Sequence, residues 1–229
     1  MSFTAFPKAS LDFLARIRRN NTKEWFEAHR NEYESLILEP SRSCTIELGE
    51  HLQALVPTIN ATPKVNGSLF RIYRDIRFSK DKTPIKSRIG LIFWQGRGRR
   101  MQSSAFYLHF SPDELFVAVG IRGFSPQMLE CYREYITVAR HRETLHTILE
   151  SMRSQGFSVP EPHYKRLPRH FDASLRDEVL TRYNSMYVYR VFPPEMIHSS
   201  ALIPTLYATY EAMLPLQQWV YAMTLTCDT

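Results

Sequence analysis

The sequence predicts an α+β protein, a central and mainly antiparallel sheet packed by N-terminal and C-terminal helices. Three observations lead there. Apolar residues recur at helical spacing through the first sixty residues and again after Ser125. Between these stretches, short apolar runs follow one another with only turn-like sequence in between, so no crossover helices are available and antiparallel pairing is expected. No internal repeat, low-complexity tract or composition break marks a linker. Residues 1–229 therefore read as a single domain, with a helical part at 1–60, a sheet region at 61–123 and helices with one further strand at 124–229.

Taken in order, Ser10 is an N-cap candidate, followed by Leu11, Leu14 and Ile17 on one helical face. Asn20-Asn21 breaks that pattern, and Thr22 caps a second helix with Glu24 in its first turn, where a negative charge suits the helix dipole. Pro40 kinks or ends this helix, or opens a third one lined by Cys44, Leu48, Leu52 and Leu55. Pro57 to Gly67 is a loop. Leu69–Asp75, Ile89–Trp94, Ala105–Phe110 and Leu115–Ile121 are expected strands, the last two joined as a hairpin by Ser111-Pro112-Asp113-Glu114. Ser125-Pro126 starts a helix, and Gly156 stops a following one that holds Leu145, Ile148, Leu149 and Met152. A short helix is expected from Ser174, a strand at Met186–Phe192, and a last helix from about Ser199 to Leu225, interrupted by Pro204 and Pro215.

Composition excludes some classes. Aromatic residues make up 13% and are spread along the chain, which argues against disorder. No apolar run approaches the roughly 20 residues of a membrane helix, and Met1 to Ser10 lacks the apolar core of a secretory signal. Cys44, Cys131 and Cys227 have no metal or redox spacing and read as free thiols, which places the protein in the cytoplasm. The net charge is +6, and its distribution is uneven: Lys64 to Arg100 holds eleven basic residues against Asp75 and Asp81. Such a stretch attracts phosphate groups, nucleic acid or an acidic partner.

The candidate site lies in that stretch. In extended backbone Arg71, Tyr73, Asp75 and Arg77 share one face, and Ile72, Arg74, Ile76 and Phe78 the other. Arg71 and Arg77 repel unless an anion lies near, and guanidinium forks grip phosphate or carboxylate in a bidentate way. Lys80, Lys82 and Lys86 follow in a polar loop. The expected ligand-binding residues are therefore Arg71, Arg74, Asp75, Arg77, Lys80, Lys82 and Lys86, with Asp75 orienting an arginine. The competing reading is a structural ion-pair network, because Arg–Asp pairs commonly pin loops.

Other motifs are weaker. Glu143–His146 and Glu195–His198 have a metal-ligand spacing but lack the core bundle it needs, and they read as solvated faces. His109 reads as a satisfied or solvent-facing residue of a strand. Gln95–Arg100 reads as the solvated tip of a hairpin, with contact to a nucleic-acid backbone as the alternative. Tyr207, Tyr210, Trp219 and Tyr221 read as helix packing. No nucleophile elbow, Walker loop or metal set is recognisable, so no cofactor and no reaction is assigned.

The stretch Arg71, Arg74, Asp75, Arg77, Phe78, Lys80, Asp81, Lys82 and Pro84 resembles the hallmark of the domain-of-unknown-function family numbered 2461, found in bacteria and fungi. The resemblance spans the whole chain, with echoes in Asn20-Asn21 before Trp25-Phe26, in Leu129, Arg133 and Ile136, and in Lys165 to Arg169. The chain departs from the hallmark at Ile85, where the family usually carries Tyr. The resemblance implies a family and no activity. It also implies that Lys165, Arg166 and Arg169 fold over the same site; Tyr73, on the Arg71 face, and Arg133 are expected beside them as supporting residues.

The reading is a protein that binds a phosphate ester or other small anion at this cluster. The alternatives are weak nucleic-acid binding without catalysis, or a scaffold in which the Arg–Asp segment is purely structural. No membrane partner is expected.

Overall fold

A computed structural model describes residues 3–166, 175 and 178–227. The helices α1 (Ser10–Arg19), α2 (Lys23–Ala28) and α3 (Arg30–Tyr33) lead through one π-helical turn, Glu34–Leu38, into α4 (Glu39–Leu55). Strands β1 (Ile59–Asn60), β2 (Ile89–Gln95), β3 (Ala105–Phe110) and β4 (Leu115–Ile121) follow. Then come α5 (Pro126–Thr137), α6 (Ala139–Ser154), β5 (Met186–Phe192) and α7 (Leu202–Thr226). The five strands form one antiparallel sheet in chain order; no helix separates β1 to β4, whereas β5 pairs with β4 after α5 and α6 intervene. β3, β4 and β5 have the bounds read from the sequence. β2 to β4 lose strict alternation because both faces are largely covered: the adjacent residues Leu91 and Ile92 in β2, His109 and Phe110 in β3, and Val117 and Ala118 in β4 are all buried.

The chain divides into two compact units. The first comprises Met1–Phe93, Tyr107–Val117 and Val191–Thr209, and buries Phe13, Leu14, Ile17, Phe26, Leu48 and Phe110. The second comprises Trp94–Phe106, Ala118–Arg190 and Tyr210–Thr229, and buries Phe106, Tyr132, Leu145, Tyr210 and Leu216. The Tyr132 hydroxyl donates to Leu180 O at 2.9 Å, so this buried phenol has a partner, and burial raises its pKa well above the ordinary value.

Several expectations are corrected. Ser10 is not a cap: it is fully buried and its hydroxyl donates to Leu36 O at 2.8 Å. Thr22 does cap α2, accepting from Trp25 N at 3.2 Å. Pro57 to Gly67 contains the short strand β1. α7 is a single helix: Pro204 falls in its first turn, where no intrahelical N–H is needed, and the helix runs through Pro215, which is flanked by buried Met213 and Leu216. Cys131 and Cys227 are not free thiols: α5 and the end of α7 bring them together as a disulfide, a pairing across 96 residues that spacing alone cannot reveal. Cys44 alone is free, and burial pushes its thiol up to about 12. The helix expected from Ser174 begins outside the described residues. Among the described residues no helix is long and apolar enough to cross a membrane.

Candidate functional site: a cationic loop on a pinned base

Leu69–Asp75 does not form a regular strand. Ser68 to Phe70 runs beside β2, with Ile92 N donating to Ser68 O at 2.9 Å and Phe70 N to Gly90 O at 3.0 Å. The chain then leaves the sheet as a loop whose base is closed by an antiparallel bridge between Tyr73 and Ile85. Arg74 N donates to Pro84 O at 2.8 Å and Lys86 N to Ile72 O at 2.9 Å. Ile72 and Ile85 are buried and anchor this base. Asn21 clamps it from the α1–α2 turn: its Oδ1 accepts from Ile85 N at 3.0 Å and its Nδ2 donates to Ile85 O at 2.9 Å. Tyr73 packs edge-on against Phe26, and its hydroxyl donates to the Glu27 carboxylate, which raises the phenol pKa.

Beyond this base the residues between Asp75 and Thr83 are largely solvent-exposed, and short polar side chains shape the backbone. Asp81 Oδ1 accepts from the Thr83 N–H at 2.9 Å and from the Thr83 hydroxyl at 2.7 Å, which closes a local turn just before Pro84. Asp75 is gripped by Arg77, with Nε to Oδ1 at 2.9 Å and Nη2 to Oδ2 at 2.7 Å, and Arg71 lies 3.7 Å from the same carboxylate. These contacts hold Asp75 well below the usual carboxylate range, at about 2, the Arg77 hydrogen bonds being the main cause. Arg74 turns away to Asp81 at 2.6 Å and to Thr83 Oγ1 at 2.9 Å. The three arginines thus meet two carboxylates of their own loop.

The lysines behave differently. Lys82 Nζ donates to Ile76 O at 2.9 Å and Lys86 Nζ to Arg71 O at 2.8 Å. The carbonyl contact of Lys82 positions its charge without neutralising it. Lys80 and Arg88 are exposed and form no ion pair among the described residues. Phe78, at the loop's outer part, is 95% exposed, so its ring is open to solvent on a cation-rich loop; the Arg77 guanidinium lies 5.8 Å from its centroid.

The remaining expected residues lie in the second unit or outside the described residues. Arg133 Nε reaches Thr181 O at 3.4 Å, and its guanidinium sits 5.1 Å from the Tyr164 ring centroid. Lys165 and Arg166 are exposed in the second unit, and Arg169 is outside the described residues. His109 is buried and paired with Glu114 at 3.0 Å, with its ring stacked on Phe116. His146 contacts Glu178 at 3.0 Å, a carboxylate it shares with Arg142 at 3.7 Å. Among the described residues no group of three or more His, Cys, Asp or Glu could hold a metal ion.

Sequence reasoning missed two features. Asn21 was legible as a helix breaker and as an echo of the family resemblance, but not as a clamp, since the residue it holds is 64 positions away. Phe78 was placed on an apolar face; the signal against burial was its position between Arg77 and Ser79-Lys80, with no apolar neighbour to follow. Among curated proteins none matches the chain. A family model does, over residues 9–219 of 229. By that match, the chain belongs to the family of conserved hypothetical proteins DUF2461.

Proposed function

We propose that the protein binds phosphate-bearing partners through the Arg71–Arg88 loop, and that the partner is an extended polyanion, single-stranded nucleic acid, bound without catalysis. The observation that carries this reading is the exposed charge surplus: seven cations share the loop with Asp75 and Asp81. The carboxylates hold Arg71, Arg74 and Arg77 in place, and Asp75 orients an arginine. Lys80, Lys82 and Arg88 retain charge for phosphates. The open Phe78 ring supplies the aromatic face on which a base stacks, a combination suited to single strands. An exposed loop favours this polymer over an enclosed small anion.

The test is fluorescence anisotropy with a labelled oligothymidine at several salt concentrations. Affinity should fall with a log–log slope of about −0.7 per phosphate contacted. Lys80→Ala with Arg88→Ala should flatten the slope, and Phe78→Ala should weaken binding at every salt concentration. A flat salt dependence would overturn the reading.

A second reading has its own observation, the pairing of all three arginines with loop carboxylates, which is what a purely structural loop would display. It expects no binding, and loss of stability when any of the three is removed.

A further inference from the structure

The Gln95–Arg100 segment is more than a hairpin tip. It forms one wall of a cavity of about 760 Å³ that lies wholly within the second unit. The other walls are the N-cap and first turn of α5, from Ser125 to Met128, and the last turns of α7 with the residue after it, from Tyr221 to Cys227. The volume falls in the range of about 300–1,000 Å³ typical of small-molecule sites, far above what a bare phosphate fills.

Its lining is one-sided in charge. Arg97 and Arg99 both line it, and neither forms an ion pair among the described residues. No aspartate or glutamate is among the described lining residues. Two unneutralised guanidiniums beside one cavity repel each other, and an anion between them removes that cost. The start of α5 adds to the same field. Ser125 caps it, accepting from Met128 N at 3.2 Å, and Pro126 carries no N–H. The Gln127 N–H then has no intrahelical acceptor, and the helix dipole favours negative charge at this end.

The remaining wall is built for an uncharged body. Gly96, at φ +80°, passes so close to Tyr221 that a Cβ there would lie 3.3 Å from the ring, which keeps the loop against a flat aromatic surface. Met128 and Leu225 add apolar surface. Gln95 presents an amide whose Oε1 is held by Gln217 Nε2 at 2.6 Å, so its orientation is fixed before any ligand arrives.

We propose that this cavity binds a phosphate monoester carrying a ring-sized body, with the phosphate between Arg97 and Arg99 at the start of α5 and the ring against Tyr221. The site is separate in sequence from the Arg71–Arg88 loop and does not depend on the reading given for that loop.

The experiment is isothermal titration calorimetry on the full chain with adenosine monophosphate, adenosine and inorganic phosphate. Adenosine monophosphate should bind more tightly than either fragment. Arg97→Ala or Arg99→Ala should each weaken it about tenfold or more, the usual size of a lost charge-assisted hydrogen bond. Both side chains are exposed, so these variants fold. The near-isosteric Gln127→Glu, which a helix N-terminus tolerates, should also weaken binding by placing a carboxylate beside the phosphate. Lys80→Ala with Arg88→Ala, in the other loop, should leave it unchanged. Equal affinity for adenosine, no heat with adenosine monophosphate or phosphate, or loss only in the Lys80 and Arg88 variant would each overturn the assignment.

Discussion

Arg77 grips Asp75 two residues earlier through two parallel hydrogen bonds, Nε to Oδ1 at 2.9 Å and Nη2 to Oδ2 at 2.7 Å. The pair is exposed, with 76% of the Arg77 side chain open to solvent, so it shapes the loop more than it stabilises the fold. Folding lowers the Asp75 pKa from 3.8 to about 2. The pair's contribution to stability is therefore present in full above about pH 4 and is lost as pH falls towards 2. In an NMR titration the Asp75 carboxyl should have its midpoint near 2. Arg77→Ala should move that midpoint up towards the usual aspartate value while barely changing the melting temperature at neutral pH. An unmoved midpoint would mean that another group holds the carboxylate.

The Asn21 clamp on Ile85 is partly buried and satisfies both backbone groups of one residue. Asn21→Ala leaves a donor and an acceptor without a partner and should cost about 1–3 kcal/mol in chemical unfolding. Trypsin should then cut the cationic loop faster, because its base is no longer pinned at Ile85. Unchanged stability and cleavage would show that the Tyr73–Ile85 bridge suffices.

Gly120 lies in β4 at φ +120°, and a Cβ there would stand 2.1 Å from Met186 O of β5. Gly120→Ala combines backbone strain with a collision that only movement of a strand relieves, and should cost about 2–5 kcal/mol. Near-wild-type unfolding would mean that β5 is not held against β4 at this point.

Thiol counting tests the cysteine pairing. The native protein should show no reactive thiol, the denatured protein one, and the denatured and reduced protein three. The single thiol is Cys44, which is buried and held protonated. Three thiols after denaturation without reductant would restore the reading of free cysteines and the reducing compartment it implied.

The legibility of this sequence follows from the range of each interaction. β3 and β4 could be bounded because apolar runs and the Ser111–Glu114 turn are local signals. The cationic loop could be found for the same reason, since charges adjacent in sequence stay adjacent in a loop. Its internal geometry could not. Whether Arg71 meets a ligand or Asp75 depends on a turn at Asp75 that alternation in an assumed strand does not contain. The disulfide, the Asn21 clamp and the cavity walled by α5 and α7 all join residues that are remote in sequence, and no periodicity encodes them.

The most direct test of the polyanion reading is a titration of isotope-labelled protein with oligothymidine, followed through backbone amide shifts. The account predicts changes concentrated between Arg74 and Arg88, with the Phe78 ring resonances moved upfield by base stacking. Shifts confined to Gln95–Ser103 and the start of α5, or no shifts at all at low salt, would contradict it.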